Sequence, residues 1–179
     1  MISIFLSYPR PYNSKQVEFI NELIKYLENR GFEPRTLGIS DYDLQEPLNA
    51  IRRIMLESNG LLTVAFRRAH IREGSSKPKS DIGETELRLD NLWLTSMYCH
   101  IEPAMAFQIG LPILILRENG VIADGILEKG VIGTYMPEFN LDGDPLAYFQ
   151  NREWNQLIGI WEGHVRNVVQ TKGQPPRLY

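Results

Sequence analysis

The chain has 179 residues, 43% of them hydrophobic and 23% charged, and a formal net charge of −3. That length and balance describe a globular domain able to bury a substantial core, and no basic block is present to draw in a nucleic-acid backbone. No apolar run approaches the ~20 residues of a membrane span, the first residues lack the basic start of a signal peptide, and one cysteine excludes an internal disulfide, so a cytoplasmic protein is expected.

The first element is ISIFL (2–6), a continuous apolar run that predicts a strand buried on both faces. After the loop SYPRPYN, Val17, Ile20, Leu23, Ile24 and Leu27 recur at helical spacing, with Asn13 or Ser14 as the cap and Gly31 as the stop. FEPRTL (32–37) is a weaker second strand that Pro34 restricts to a sheet edge. The polar loop GISDYDLQEP leads to a second amphipathic helix carrying Leu48, Ile51, Ile54 and Met55, which Ser58, Asn59 and Gly60 end. LLTVAF (61–66) is the third strand.

Residues 67–84 have no apolar period and contain Gly, Pro and Ser, which predicts a long mobile lid loop. Helix is expected from about Glu86, and PILIL (112–116) is the fourth strand. VIADGILEKG reads as a loop with one helical turn, and VIGTYM (131–136) as a short fifth strand. Trp154, Leu157, Ile158, Trp161, Val165 and Val168 mark a closing helix before a tail at 173–179. The whole of 1–179 is expected to form a single α/β domain.

Alternation of helices with short apolar strands predicts a parallel sheet covered on both faces. A flavodoxin-like three-layer sandwich with strand order 2-1-3-4-5 suits a central first strand and an edge second strand. Ligands of such sheets bind beyond the C-terminal strand ends, at the switch point between strands 1 and 3. The expected site is therefore near residues 7–13 and the lid.

Dinucleotide and triphosphate cradles of the Gly-x-Gly-x-x-Gly and Gly-Lys-Ser/Thr kinds are absent, as is a Gly-x-Ser-x-Gly nucleophile elbow. His70, His100 and His164 lie far apart, and adjacent Cys99 and His100 cannot easily chelate one ion, so no metal or resident cofactor is expected. Cys99 reads as a small core thiol. Glu102 is the unusual residue: a lone acid beside Pro103, in a stretch otherwise apolar or small. If the backbone is helical there, Tyr98 and Glu102 share a face at i and i+4. Pro103 then either kinks the helix or starts a new one, and in the second case Glu102 sits at a helix N-terminus that favours its ionised form. A capping or surface acid would explain Glu102 equally well on these grounds.

The spacing of Ser96-Met97-Tyr98-Cys99-His100-Ile101-Glu102 resembles the Ser-x-Trp-Cys-x-x-Glu signature of TIR domains, with Tyr98 at the tryptophan position. IFLSY (4–8) resembles the first-strand box of that family, LNAIRRIMLESNGLLTV (48–64) its second helix and third strand, and GLPILIL (110–116) its fourth strand. The resemblance spans about 1–135. GISDYDLQEP lacks the family's Arg-Asp…Pro-Gly pattern and the late Phe-Trp box is missing. The same boxes resemble the related nucleoside deoxyribosyltransferase-like proteins, with a Glu ahead of an Ala-rich helix and a Gly-x-Pro strand (MAFQIGLPIL here).

Either resemblance implies N-glycosidic bond chemistry on Glu102. Its leading form is an NAD-cleaving N-glycosidase with NAD as substrate, releasing nicotinamide and an ADP-ribose product that can be cyclised. In a bacterium this implies antiphage defence or nucleotide signalling. Ser7, Tyr8 and Arg10 would line the pocket, Tyr98 would stack on a ring, and Asp41 would approach from its loop. The alternatives are a nucleoside or nucleotide N-glycosidase or 2-deoxyribosyltransferase, and a non-catalytic scaffold or nucleotide sensor. Self-association or an activating protein is implied as well, with Trp154, Trp161 and Val165 as candidate surface anchors, core packing being the expected role of two of them.

Overall fold

The structure, a computed structural model, describes residues 1–133 and 135–171. The expected tail at 173–179 lies outside the described residues, as does Thr134. β1 (Ile2–Ser7) runs into α1 (Ser14–Asn29), whose start is capped by the Asn13 side chain accepting from the Gln16 backbone N–H at 3.0 Å. The chain then turns at Gly31, whose φ of 85° is open to glycine and strained for other residues. β2 (Phe32–Arg35) pairs only with β1, which lets Pro34, with no N–H to give, stay in the sheet at its edge. α2 (Pro47–Glu57) opens on a proline at its first position, where no backbone donor is needed. β3 (Leu61–Ala65) is buried at every residue and lies at the centre.

The next segment departs from the expected lid. β4 (Ala69–Ile71) pairs antiparallel with β7 (Leu92–Leu94), and β5 (Ser75–Ser76) with β6 (Leu87–Arg88), so the chain leaves the sheet edge and returns along itself. Two short strands, β4 and β5, thus lie inside the segment expected as a lid, and residues 77–86 between β5 and β6 carry no strand or helix. Helix therefore does not begin at Glu86. It begins at α3 (Tyr98–Gln108), after which come β8 (Ile113–Glu118), a 3₁₀ turn at Gly125–Leu127, β9 (Glu138–Phe139), a second 3₁₀ turn at Ala147–Gln150, and α4 (Arg152–Thr171).

The main sheet has the order β2-β1-β3-β8-β9 with every pairing parallel. Counting only its own strands, this is the 2-1-3-4-5 order of a flavodoxin-like α/β fold. The fifth strand is Glu138–Phe139 rather than 131–136, because Phe139 stacks on Phe19 of α1 at a centroid distance of 4.3 Å and draws that segment onto the sheet.

Residues alternate between the sheet's two faces. Ile4, Leu6, Leu62, Val64 and Leu116 pack with Phe19 and Leu23 of α1 and with Trp154, Ile158, Trp161 and Val165 of α4. Phe5 and Leu61 pack on the opposite face with Ile51, Ile54 and Met55 of α2 and Ala106 of α3. Three layers result. Trp154, Trp161 and Val165 are all buried and so are not surface anchors, since α4 turns that face onto the sheet. No described helix is long and apolar enough to cross a membrane.

Candidate active site

A cleft of about 390 Å³ opens beyond the C-terminal ends of β1 and β3, at the topological switch point. One side is the first loop, with Ser7, Tyr8, Pro9 and Arg10; a second is formed by Thr36, Leu37 and Pro47. The remaining wall comes from Arg68 and from Ser96, Tyr98 and Glu102. Ser7, Tyr8, Arg10, Tyr98 and Glu102 thus share one cleft, although 95 positions separate Ser7 from Glu102.

Glu102 is the only acidic residue lining it among the described residues. Its helix runs from Tyr98 straight through Pro103, so Glu102 lies on the second turn, not at a helix N-terminus. The side chain is 8% exposed. The Ser7 hydroxyl donates to its Oε2 oxygen. Burial pushes the Glu102 carboxyl up to about 7, against the opposing effect of the Ser7 hydrogen bond. A carboxyl raised toward neutrality by burial is the kind of perturbed group that proton transfer draws on, while its ionised form can stabilise a developing cation.

Tyr98 and Glu102 sit one turn apart on α3, and Tyr98 lines the cleft while remaining partly exposed. Ser96 accepts from the Tyr98 backbone N–H at 3.3 Å, fixing the start of α3. Tyr8 is half-buried, and burial raises its phenol pKa, with the Thr36 side chain opposing the shift. Thr36 in turn donates to the Leu6 carbonyl at 2.8 Å, tying the second wall to β1.

Asp41 is placed differently. It does not line the cleft; Arg35 Nη2 holds it at 2.5 Å, and that contact keeps its carboxyl below the usual range. Arg35 also reaches Glu57 at 2.8 Å, and Asp43 pairs with Arg53 at 3.0 Å. These acids pin the 38–46 loop to α2 and support the second wall.

Two features escape a reading of the sequence. Arg68 lines the cleft from the base of the antiparallel excursion, with its backbone N–H on the Leu94 carbonyl at 2.9 Å and Nη1 3.4 Å from Ser96 Oγ. Behind it, buried Glu118 accepts from the Arg67 backbone N–H at 2.8 Å and from Gln16 Nε2 at 3.2 Å. The same Gln16 nitrogen donates to the Arg67 carbonyl at 3.0 Å. This cluster locks the exit of β3 and presents Arg68 to the cleft. The signal available was the Arg67-Arg68 pair directly after a buried strand. Among the described residues no group of three or more His, Cys, Asp or Glu is arranged to hold a metal ion. Cys99 is buried in the core, where desolvation raises its thiol well above the usual range, so the geometry fits the small core thiol expected from the sequence.

No family model matches the chain, and no curated protein does. Among solved structures, the chain is similar to the CMP N-glycosidase BcmB of Clostridium botulinum, with a TM-score of 0.47 and 16% identity over 83% of this chain and 94% of that one. It is also similar to the TIR domains of the activated Roq1 resistosome that recognises the pathogen effector XopQ, with a TM-score of 0.42 and 14% identity over 97% of this chain and 86% of that one.

Proposed function

We propose that the protein is an N-glycosidase that breaks the bond between a ribose C1′ and the nitrogen of a base in a nucleotide, with NAD as the leading substrate. The observation that carries this reading is one buried carboxyl, Glu102, oriented by Ser7 in a cleft whose lining, among the described residues, holds no second acid.

As C1′–N cleavage proceeds, positive charge develops on the ribose, and a carboxylate in a low-dielectric site stabilises it far more than water would. The nicotinamide of NAD is cationic while bound and leaves neutral, so one carboxylate suffices and no proton donor is needed. Water then adds to C1′ and gives its extra proton to the carboxylate or to solvent, leaving a ribose hydroxyl; an attacking hydroxyl of the ribose product would instead close a ring with the same proton loss. Ser7 holds the carboxylate orientation through its donated hydrogen bond, and Tyr98 offers a ring for stacking at the mouth. A second reading, cleavage of a nucleotide with a neutral base, is supported by the Glu102 carboxyl at about 7. In its protonated form the same group can deliver a proton to the departing base.

Incubation with NAD and a panel of nucleotides and nucleosides, with products resolved by mass, separates the two readings. Glu102→Gln should reduce cleavage at least ~100-fold, the scale of losing one preorganised electrostatic group. Turnover by the variant at the wild-type rate would remove Glu102 from the chemistry.

A further inference from the structure

We infer that Arg68, with Arg10 across the cleft, forms an anion subsite for the phosphate of the substrate, so that the protein acts on nucleotides and discriminates against the corresponding nucleosides. The inference deepens the glycosidase reading and rests on it for the word substrate.

Most arginines with a structural task here are matched to carboxylates. Arg30 pairs with Glu162, Arg35 with Asp41 and Glu57, Arg53 with Asp43, Arg88 with Asp90 and Arg117 with Glu138. Arg67, the immediate neighbour of Arg68, is fully engaged: its Nε donates to the Asn119 carbonyl at 2.5 Å, its Nη1 lies 3.3 Å from Asp142, and its guanidinium covers Trp93 at 5.7 Å. Arg68 differs. Among the described residues it makes no ion pair, and its one side-chain hydrogen bond is the 3.4 Å contact with Ser96. Arg10 also makes no ion pair among the described residues. Both line the cleft with exposed side chains.

The local charge follows. Two guanidiniums face one carboxyl, and with Glu102 pushed up to about 7 that carboxyl is only partly ionised near neutrality. A cleft of net positive charge in a chain of net charge −3 selects anions. The donor forks of a guanidinium match phosphate oxygens two at a time. Burial divides the labour: the buried Glu102–Ser7 pair would meet the sugar, and the exposed Arg10 and Arg68 the phosphate. The lock on Arg67 by Glu118 and Gln16 gives Arg68 a rigid backbone from which to act. A monophosphate and the pyrophosphate of NAD share this chemistry, and the assay below carries one of each.

The test is kcat/KM for two matched pairs, a nucleoside 5′-monophosphate against its nucleoside and NAD against nicotinamide riboside. It is run on wild type, Arg68→Ala, Arg68→Lys and, as a control outside the cleft, Arg72→Ala. The wild type should prefer the phosphate-bearing member of the cleaved pair. Arg68→Ala should shrink that preference roughly 10–100-fold, the loss expected for a charge-assisted hydrogen bond, and Arg68→Lys should restore part of it. The pair in which the preference exists identifies the source of the phosphate. Equal losses for both members of a pair, or no preference in the wild type, would overturn the inference. If no N-glycoside is cleaved, the glycosidase reading fails and calorimetric titration with AMP and adenosine decides the subsite alone. AMP binding that weakens roughly tenfold or more in Arg68→Ala supports it; AMP binding indifferent to the substitution, or absent, overturns it.

Discussion

A buried carboxyl whose folded pKa is raised makes the protein less stable as it ionises, and Glu102→Gln turns that into a measurement. Glu102 moves from an ordinary 4.5 to about 7 on folding. Between those two values the folded state binds more protons than the unfolded state, so stability declines as pH rises through that window and levels off above 7. At about 1.36 kcal/mol per pKa unit the decline totals about 3 kcal/mol, most of it between pH 5 and 8. Glutamine keeps the shape, offers a carbonyl to the Ser7 hydroxyl and is neutral at every pH. The stability of Glu102→Gln relative to wild type should therefore climb by about 2–3 kcal/mol from pH 5 to pH 8.5. For a domain of this size that corresponds to a relative gain of roughly 4–12 °C in midpoint. Urea unfolding of both proteins at four or five pH values reads the difference directly. Groups common to both, including Glu118, whose carboxyl burial also raises, cancel in the subtraction. A difference that stays flat within ~0.5 kcal/mol across that range would refute the claim that Glu102 is held in a dry site.

Two further outcomes follow from the same structure. The Ser7 hydroxyl favours the ionised Glu102, so Ser7→Ala should raise the carboxyl above 7; if the ionised form is the active one, the acid limb of the kcat/KM profile shifts to higher pH and activity at pH 7 drops, and a limb that does not move removes Ser7 from the site. Gly60→Ala should destabilise the fold by roughly 1–3 kcal/mol in urea melts, because the new Cβ would lie 2.5 Å from Val165 Cγ2 and 3.3 Å from the Trp161 ring; a variant as stable as wild type would mean that α4 does not press on the start of β3.

The sheet was legible because its strands carry their own signal. Five consecutive buried residues in β3 and the consecutive apolar run of β1 declare a two-sided burial that only a central parallel strand offers. The excursion after β3 lacks such a signal, since its strands are two or three residues long and are ordered by backbone pairing, which polar side chains do not advertise. One hint was present: Leu87 and Leu89, then Leu92 and Leu94, repeat at intervals of two, a strand period where helix was expected. β9 was misplaced for a different reason. Its position depends on Phe139 finding Phe19, a contact between residues distant in sequence.

Glu102 illustrates what folding adds to a motif. From the sequence, a capping or surface acid was as good an account as a chemical one. Capping is removed because α3 begins four residues earlier, and the surface role is removed because the side chain is buried. A structural ion pair would be the remaining ordinary reason for a buried acid, yet among the described residues Glu102 makes none, and the only side chain that stabilises its charge is the Ser7 hydroxyl. A glutamine would fill the same space, keep an acceptor for Ser7 and avoid a destabilisation of about 3 kcal/mol above neutral pH. The proposed glycosidase chemistry would account for keeping a charge there at that cost, because the same carboxyl lines the cleft.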